Sequence, residues 1–334
     1  MNKEQIYLET AIRLDDIVKN LEIGKHWTND ETQIQEIISA CMEKINYLTD
    51  DLLPNGELLA NEISKDYQVK FEEIRDNTDL DLLEKNYVKS KNEFGFARIR
   101  KEIQTKSVDA WLFERSNAES NDFDRWVAVL NLTETEDRAY WNKFHELAHR
   151  LAEPPQKILP FRRESITKTD PVEKLIDTIA GNLAFHPKLF SPHIKRISNS
   201  AITFDNVDLV RNSFAPSASL LATTNAVVKI YNRPALAFKA ALNKKMNGDA
   251  NSLALRVSPQ AHNILAREAG LILFRNMRVP LESCVYQTFL TGQSCIASEN
   301  TKIWTTSSGH SLPNYNVTIS AIKLNDIIYG VMTI

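Results

Sequence analysis

Cysteine is nearly absent from this chain: only Cys41, Cys284 and Cys295 occur in 334 residues. The number is odd, and the spacing matches neither a zinc ribbon nor a C-x-x-C redox pair. A disulfide framework is therefore not expected, and a reducing cytoplasm suits the composition best. Long hydrophobic runs are missing as well. Nowhere do about 18 apolar residues follow one another. The N-terminal "MNKEQIYLETAIRLDDIVKNL" places acids at helical spacing where a signal peptide carries an apolar stretch. Neither a secretion signal nor a membrane span is expected. An excess of one charge is missing too: 40 Lys and Arg stand against 43 Asp and Glu, a net −3, so no global basic field draws the chain to nucleic acid. Internal repeats and low-complexity segments do not occur. What remains, 43% hydrophobic and 25% charged, is the composition of an ordinary soluble protein with room for two or three cored units.

Periodicity orders the chain as α+β. Residues 1–53 read as helical: "LETAIRLDDIVKNL" and, after the capping signal Asn29-Asp30, "TQIQEIISACMEKINYLTDDLL" repeat apolar residues three and four apart. The turn "LLPNGE" ends this extension. A short helix, "ELLANEISKDY", and the strand-like "YQVKFEEI" follow, then a charged stretch of surface helix and loop. "SVDAWLFER" and "RWVAVLNL" are β-branched and aromatic, with the polar loop "SNAESNDFD" between them, and predict a small antiparallel sheet. The second of these runs leads into "TETEDRAYWNKFHELAHRLAEPP". There Thr133 and Glu136 form a capping-box pattern and Pro154-Pro155 a stop. Asp170-Pro171 opens the next helix, which runs to His186-Pro187. Two short helices broken at "APS" and another around "RPALAFKAALNKKM" make residues 191–245 helical. Residues 246–334 read as a separate α+β domain, with a helix at "PQAHNILAREA" and a hairpin turning at Asn325-Asp326.

The chemistry lies in "HELAH". His145 and His149, four apart on a helix, project from one face and can grip one cation, and zinc suits two imidazoles. Glu146, about 100 degrees round the helix, lies off the metal but within reach of a water on it. That is the place of a general base, which takes the water's proton and hands it to the leaving amine of a peptide. Composition alone would produce H-E-x-x-H with a chance of roughly one in a hundred. The plain alternative is two surface histidines on an exposed helix. A third ligand is offered by the helix after Asp170. Glu173, Asp177, Ala180 and Ala184 fall on one stripe, with Val172, Leu175, Ile179 and Leu183 opposite. Small residues let that helix approach, bringing Glu173 onto the metal and Asp177 onto a ligand histidine, whose tautomer it fixes. The alternative for Glu173 is a first-turn acid favouring the helix dipole. His26, His186 and His193 form no second motif, and His186 reads as a helix-end cap. Trp111, Trp126 and Trp141 read as core of the sheet-helix layer, and Cys284 and Cys295 as small buried hydrophobes.

These residues resemble the ImmA/IrrE family of bacterial and phage metallopeptidases. In that family an H-E-x-x-H helix is followed about thirty residues later by E-x-x-A-(N/D)-x-F-A-A-x-L-L-x-P. The corresponding string here is "EKLIDTIAGNLAFHP". Glu173 takes the ligand place and Asp177 the Asn/Asp place, while Ile176 and Ile179 depart from the pattern and one extra residue precedes Pro187. The resemblance covers 55 to about 240. It implies a zincin-like core at 54–190, a helix-turn-helix-like segment at 191–245 and, as in some radiation-response members, a GAF-like sensor at 246–334. It further implies a site-specific endopeptidase that cleaves a helix-turn-helix repressor of the XRE/Cro type and so relieves repression in stress or mobile-element settings. The two-histidine, one-carboxylate set serves manganese or iron as well as zinc. Two other classes stand beside this one. One is a non-catalytic regulator with a vestigial or structural metal site. The other is direct DNA binding through 206–232, where few basic residues offer phosphate contacts.

Overall fold

The runs after residue 66 build a four-stranded mixed sheet in the first of two units. The structure is a computed structural model. It describes residues 3–49, 54–89, 99–101, 109–115, 122–133, 138–154, 158–159, 170–244, 253–306 and 309–334. Contacts divide the chain into Met1–Leu189 and Phe190–Ile334. In the first unit, β1 (Val69–Ile74), β2 (Ala110–Glu114), β3 (Trp126–Asn131) and β4 (Ile158–Leu159) bond in the order β1-β3-β2-β4. β2 and β3 are antiparallel, with Trp111 opposite Val129 and Phe113 opposite Val127. β1 is instead parallel to β3, with Val69 beside Trp126 and Ile74 beside Asn131. The expected antiparallel pairing of β2 with β3 is present, and β1 joins it in parallel, so the whole sheet is mixed. The chain reverses twice between β1 and β3, so β3 returns in the direction of β1, and side-chain alternation does not record strand direction.

β3 is buried along nearly its whole length because both faces of the sheet are covered. On one face, Leu80, Leu83 and Tyr87 of α4 (Asn77–Lys89) pack on Trp111, Phe113, Val127 and Val129. On the other, Ala110 and Leu130 pack with Leu132, Phe71 and Ala139, the last opening helix α5 (Ala139–Ala152). Further helices surround α5. They are α1 (Lys3–Asn20), α2 (Glu31–Lys44), α3 (Gly56–Asp66) and α6 (Pro171–Ala184). Caps set their starts where the sequence puts them: the Asp30 side chain accepts from Thr32 N–H, Asn55 from Leu58 N–H and Asp170 from Val172 N–H. Glu136 of the Thr133 capping box, Pro155 and most of the loop 156–169 lie outside the described residues.

α7 (Pro187–Lys195) carries the chain into the second unit. There α8 (Phe204–Phe214) and α9 (Leu220–Ile230) break at Ala215-Pro216-Ser217. A five-stranded antiparallel sheet follows in the order β6-β5-β9-β8-β7, made of β5 (Ala235–Asn243), β6 (Ala254–His262), β7 (Cys295–Asn300), β8 (Asn316–Leu324) and β9 (Ile327–Thr333). The helix expected around "RPALAFKAALNKKM" is thus a strand. β5 lies between β6 and β9, bonded on both edges, and Leu236, Phe238 and Ala240 fill one core with Leu255, Val257, Ile328 and Met332. Burial and ladder bonds outweigh the helix propensity of its alanines and leucines. Likewise "PQAH" completes β6, and only Ile264–Glu268 (α10), capped by Asn263, is helical. The hairpin turns at Asn325, whose φ of 55° an asparagine tolerates. α11 (Cys284–Thr291) ends on Gly292 in the left-handed region. Among the described residues no helix is long and apolar enough to cross a membrane.

Candidate metal centre

α5 and α6 are antiparallel neighbours pinned at both ends. At one end the Tyr140 hydroxyl donates to the Ala184 carbonyl, and the half-buried Trp141 ring lies 3.4 Å from where a Cβ on Gly181 would stand. Trp141 is therefore an interface residue between these helices, whereas Trp111 and Trp126 are buried in the sheet layer. At the other end the last-turn carbonyls of α5 find donors on the N-terminal helices. Asn20 Nδ2 donates to Ala152 O at 2.9 Å, and Lys44 Nζ to Leu151 O at 3.2 Å. The pairing of α5 with α6 brings His145, His149 and Glu173 together.

The two histidines are buried, and their Nε2 atoms lie 3.1 Å apart. Glu173 Oε2 is 3.2 Å from His145 Nε2 and 3.5 Å from His149 Nε2. An ion bound tetrahedrally at about 2.0–2.1 Å separates its ligands by about 3.3 Å. The three donor atoms are therefore one face of such a tetrahedron, and the cluster His145-His149-Glu173 could hold a metal ion. The outer ring nitrogens are engaged as well. His145 Nδ1 is 3.1 Å from Asp177 Oδ1, and His149 Nδ1 is 2.9 Å from Glu153 Oε2. A carboxylate at Nδ1 keeps the proton there and leaves the Nε2 lone pair for an ion.

Electrostatics favour a cation between these groups. Burial alone would lower the pKa of His149, but Glu173 and Glu153 outweigh it and push it up to about 10. His145 is likewise raised against its burial, chiefly by Asp177 and Glu173. The histidines in turn hold the Glu173 carboxyl far below the usual carboxylate range, against its burial. Glu146 differs from the rest. It is 1% exposed, its Oε2 is buried with no hydrogen-bond partner, and burial raises its pKa against the pull of the two histidines.

The structure thus brings together His145, Glu146, His149, Glu173 and Asp177, and adds two residues that sequence reasoning missed. Glu153 stands four residues after His149, a spacing that puts both on one helix face and that was there to be used. Arg13 of α1 donates to Glu153 Oε1 from Nε and Nη2, at 3.1 and 2.8 Å. No local pattern marks it. The remaining histidines lie elsewhere. His26 faces Asp15 and His193 bonds Ser213. His186 is buried with Nδ1 unpartnered instead of capping the helix end.

No protein-family model matches the chain, and no curated protein matches it. Among solved structures, a Mycobacterium tuberculosis transcriptional regulator aligns with 96% of this chain and 81% of its own, at 7% identity and a TM-score of 0.39. A likeness of that size carries neither fold nor function across, and the motif strings that carry the resemblance to the ImmA/IrrE family lie within residues 145–187.

Proposed function

We propose that this chain is a zinc-dependent, site-specific endopeptidase that cleaves a helix-turn-helix repressor of the XRE/Cro type. The observation that carries the peptidase reading is the triangle of His145 Nε2, His149 Nε2 and Glu173 Oε2 next to a buried, unpartnered Glu146 carboxylate oxygen. The repressor as substrate follows from the resemblance in residues 145–187. A zinc ion held by these three ligands would supply Lewis acidity to the scissile carbonyl and lower the pKa of the attacking water. The remaining work falls to the chain. Glu146 accepts the water's proton and passes it to the leaving amine, and burial, which raises its pKa, makes it a better proton acceptor. Asp177 and Glu153 keep both imidazoles in the tautomer that presents Nε2.

The test compares cells producing the native chain with cells producing Glu146→Gln, by mapping new protein N-termini. The expected result is one cleaved regulator with the native chain and none with the variant, while elemental analysis finds about one zinc per chain in both. Equal cleavage by Glu146→Gln would sink the peptidase reading. The regulatory alternative has its own support in a cleft of the second unit between α8, α9 and the sheet, where Lys239 is half-buried beside Asn225 and Tyr329. It predicts metal-independent control of a partner that Glu146→Gln leaves intact.

A further inference from the structure

α1 brings one side chain to the metal centre, and that side chain meets three acids at once. Arg13 donates to Glu153 Oε1 from Nε and Nη2. Its Nη2 also lies 3.7 Å from Glu173 Oε1, and its Nη1 3.6 Å from Asp170 Oδ2. Glu153 is the C-cap of α5 and Asp170 the N-cap of α6. One planar guanidinium therefore spans the ends of the two helices that carry all three ligands. The carboxylate oxygens are divided between it and the histidines. Glu153 turns Oε1 to Arg13 and Oε2 to His149 Nδ1. Glu173 turns Oε1 to Arg13 and Oε2 to the two Nε2 atoms. A carboxylate with one oxygen on a fixed cation has one oxygen left for an ion. The rigid fork of arginine can hold two acids in set directions, which a single ammonium cannot.

We propose that Arg13 is a positioning residue of the metal centre: it restricts Glu173 to one ligating oxygen and fixes His149 through Glu153. The inference rests on the metal-centre reading above, and it makes the N-terminal helix part of the centre. Docking of α1 has a separate contact in Asn20, which donates to the carbonyls of Leu151 and Ala152. The two roles can therefore be separated by substitution.

The experiment loads the full chain with cobalt(II) in place of zinc and records its visible spectrum, which reports the number and kind of ligands. Zinc affinity is measured by competition with a chelator. Native protein and Asn20→Ala are expected to share the intense absorption of a four-coordinate ion. Arg13→Met is expected to weaken and shift that absorption as Glu173 releases its second oxygen to the ion, and to change zinc affinity about 10- to 100-fold. Arg13→Lys, which keeps the charge and guards against a folding failure of Arg13→Met, is expected to fall between them. Circular dichroism of each metal-free variant checks the fold. Native spectra and affinity in both Arg13 variants would overturn the proposal while leaving the metal centre standing, as would an equal change in Asn20→Ala. Failure of the native chain to take up either metal would remove the reading beneath it.

Discussion

Zinc should raise the melting temperature of the first unit, and the size of the rise can be worked out. An ion that binds only the folded chain stabilises it by about 2.7 kcal/mol when its free concentration is 100 times Kd. Unfolding entropy runs at about 2.1 cal/mol/K per residue, so residues 1–189 carry about 0.4 kcal/mol/K and the shift is about 7 °C. If all 334 residues melt as one block, the same free energy gives about 4 °C. Tryptophan fluorescence follows the relevant part, because Trp27, Trp111, Trp126 and Trp141 lie in the first unit and Trp304 alone in the second. Glu173→Ala should lose most of the shift. The sign with pH is fixed too. In the metal-free chain His149 keeps its proton up to about pH 10, so a bound ion must expel that proton, and the shift shrinks as pH falls. An equal shift in native protein and Glu173→Ala, or none in either, would refute the three-ligand site.

Three further outcomes are expected. Glu153→Ala removes the acceptor at His149 Nδ1 and should weaken zinc binding about 10- to 100-fold in chelator competition; unchanged affinity would show that His149 needs no such support. Gly330→Ala places a Cβ 2.3 Å from Phe238 Cζ, its cross-strand partner in the second unit, and should lower stability by about 1–3 kcal/mol. A Phe238→Leu background should remove part of that loss, and additive losses in a double-mutant cycle would exclude the clash. Burial, with Lys188 adding to it, pushes His186 down to about 4, below its unfolded value of about 6.5. The unfolded chain therefore takes up the proton first. The stability this group contributes is complete above about pH 6.5 and is lost as pH falls towards 4, by up to about 3 kcal/mol. His186→Gln should flatten the denaturation midpoint over that window, and a slope equal to native would dismiss the burial argument.

Local chemistry was the most legible part of the fold. Asp170-Pro171 opens α6 and Asn325 turns the last hairpin because an N-cap, an N1 proline and a residue tolerant of positive φ each act within a few residues. β5 was misread because what makes "ALAFKAALN" a strand lies outside it: a partner on each edge, β6 and β9, and a core of residues from 255 to 332. The parallel β1 was missed for the same reason, since direction is set by how many times the chain turns before its partner arrives. Ligands showed the same division. His145, His149, Glu173 and Asp177 were visible because helical spacing puts each pair on one face. Glu153 obeys that spacing too, four residues after His149, but no second motif element marks it. Arg13 lies 140 residues from the acid it bonds, and periodicity has no reach over that distance.

Burial decides between a centre and a decorated helix. Decoration would leave the histidines in water, whereas His145, His149 and Glu146 are 8%, 1% and 1% exposed. Burying ionisable groups is unfavourable unless each finds a partner. A structural ion-pair cluster would meet that condition for nearly every member: Asp177 on His145, Glu153 on both His149 and Arg13, Glu173 on both imidazoles. Glu146 is the exception. Its Oε2 is buried without a hydrogen-bond partner among the described residues, and a buried carboxylate oxygen left unpaired is unfavourable where a structural role alone would be served by an apolar side chain. A purely structural cluster should therefore gain stability from Glu146→Met. A peptidase should show the same gain together with the loss of cleavage, because the variant lacks the carboxyl that takes the water's proton.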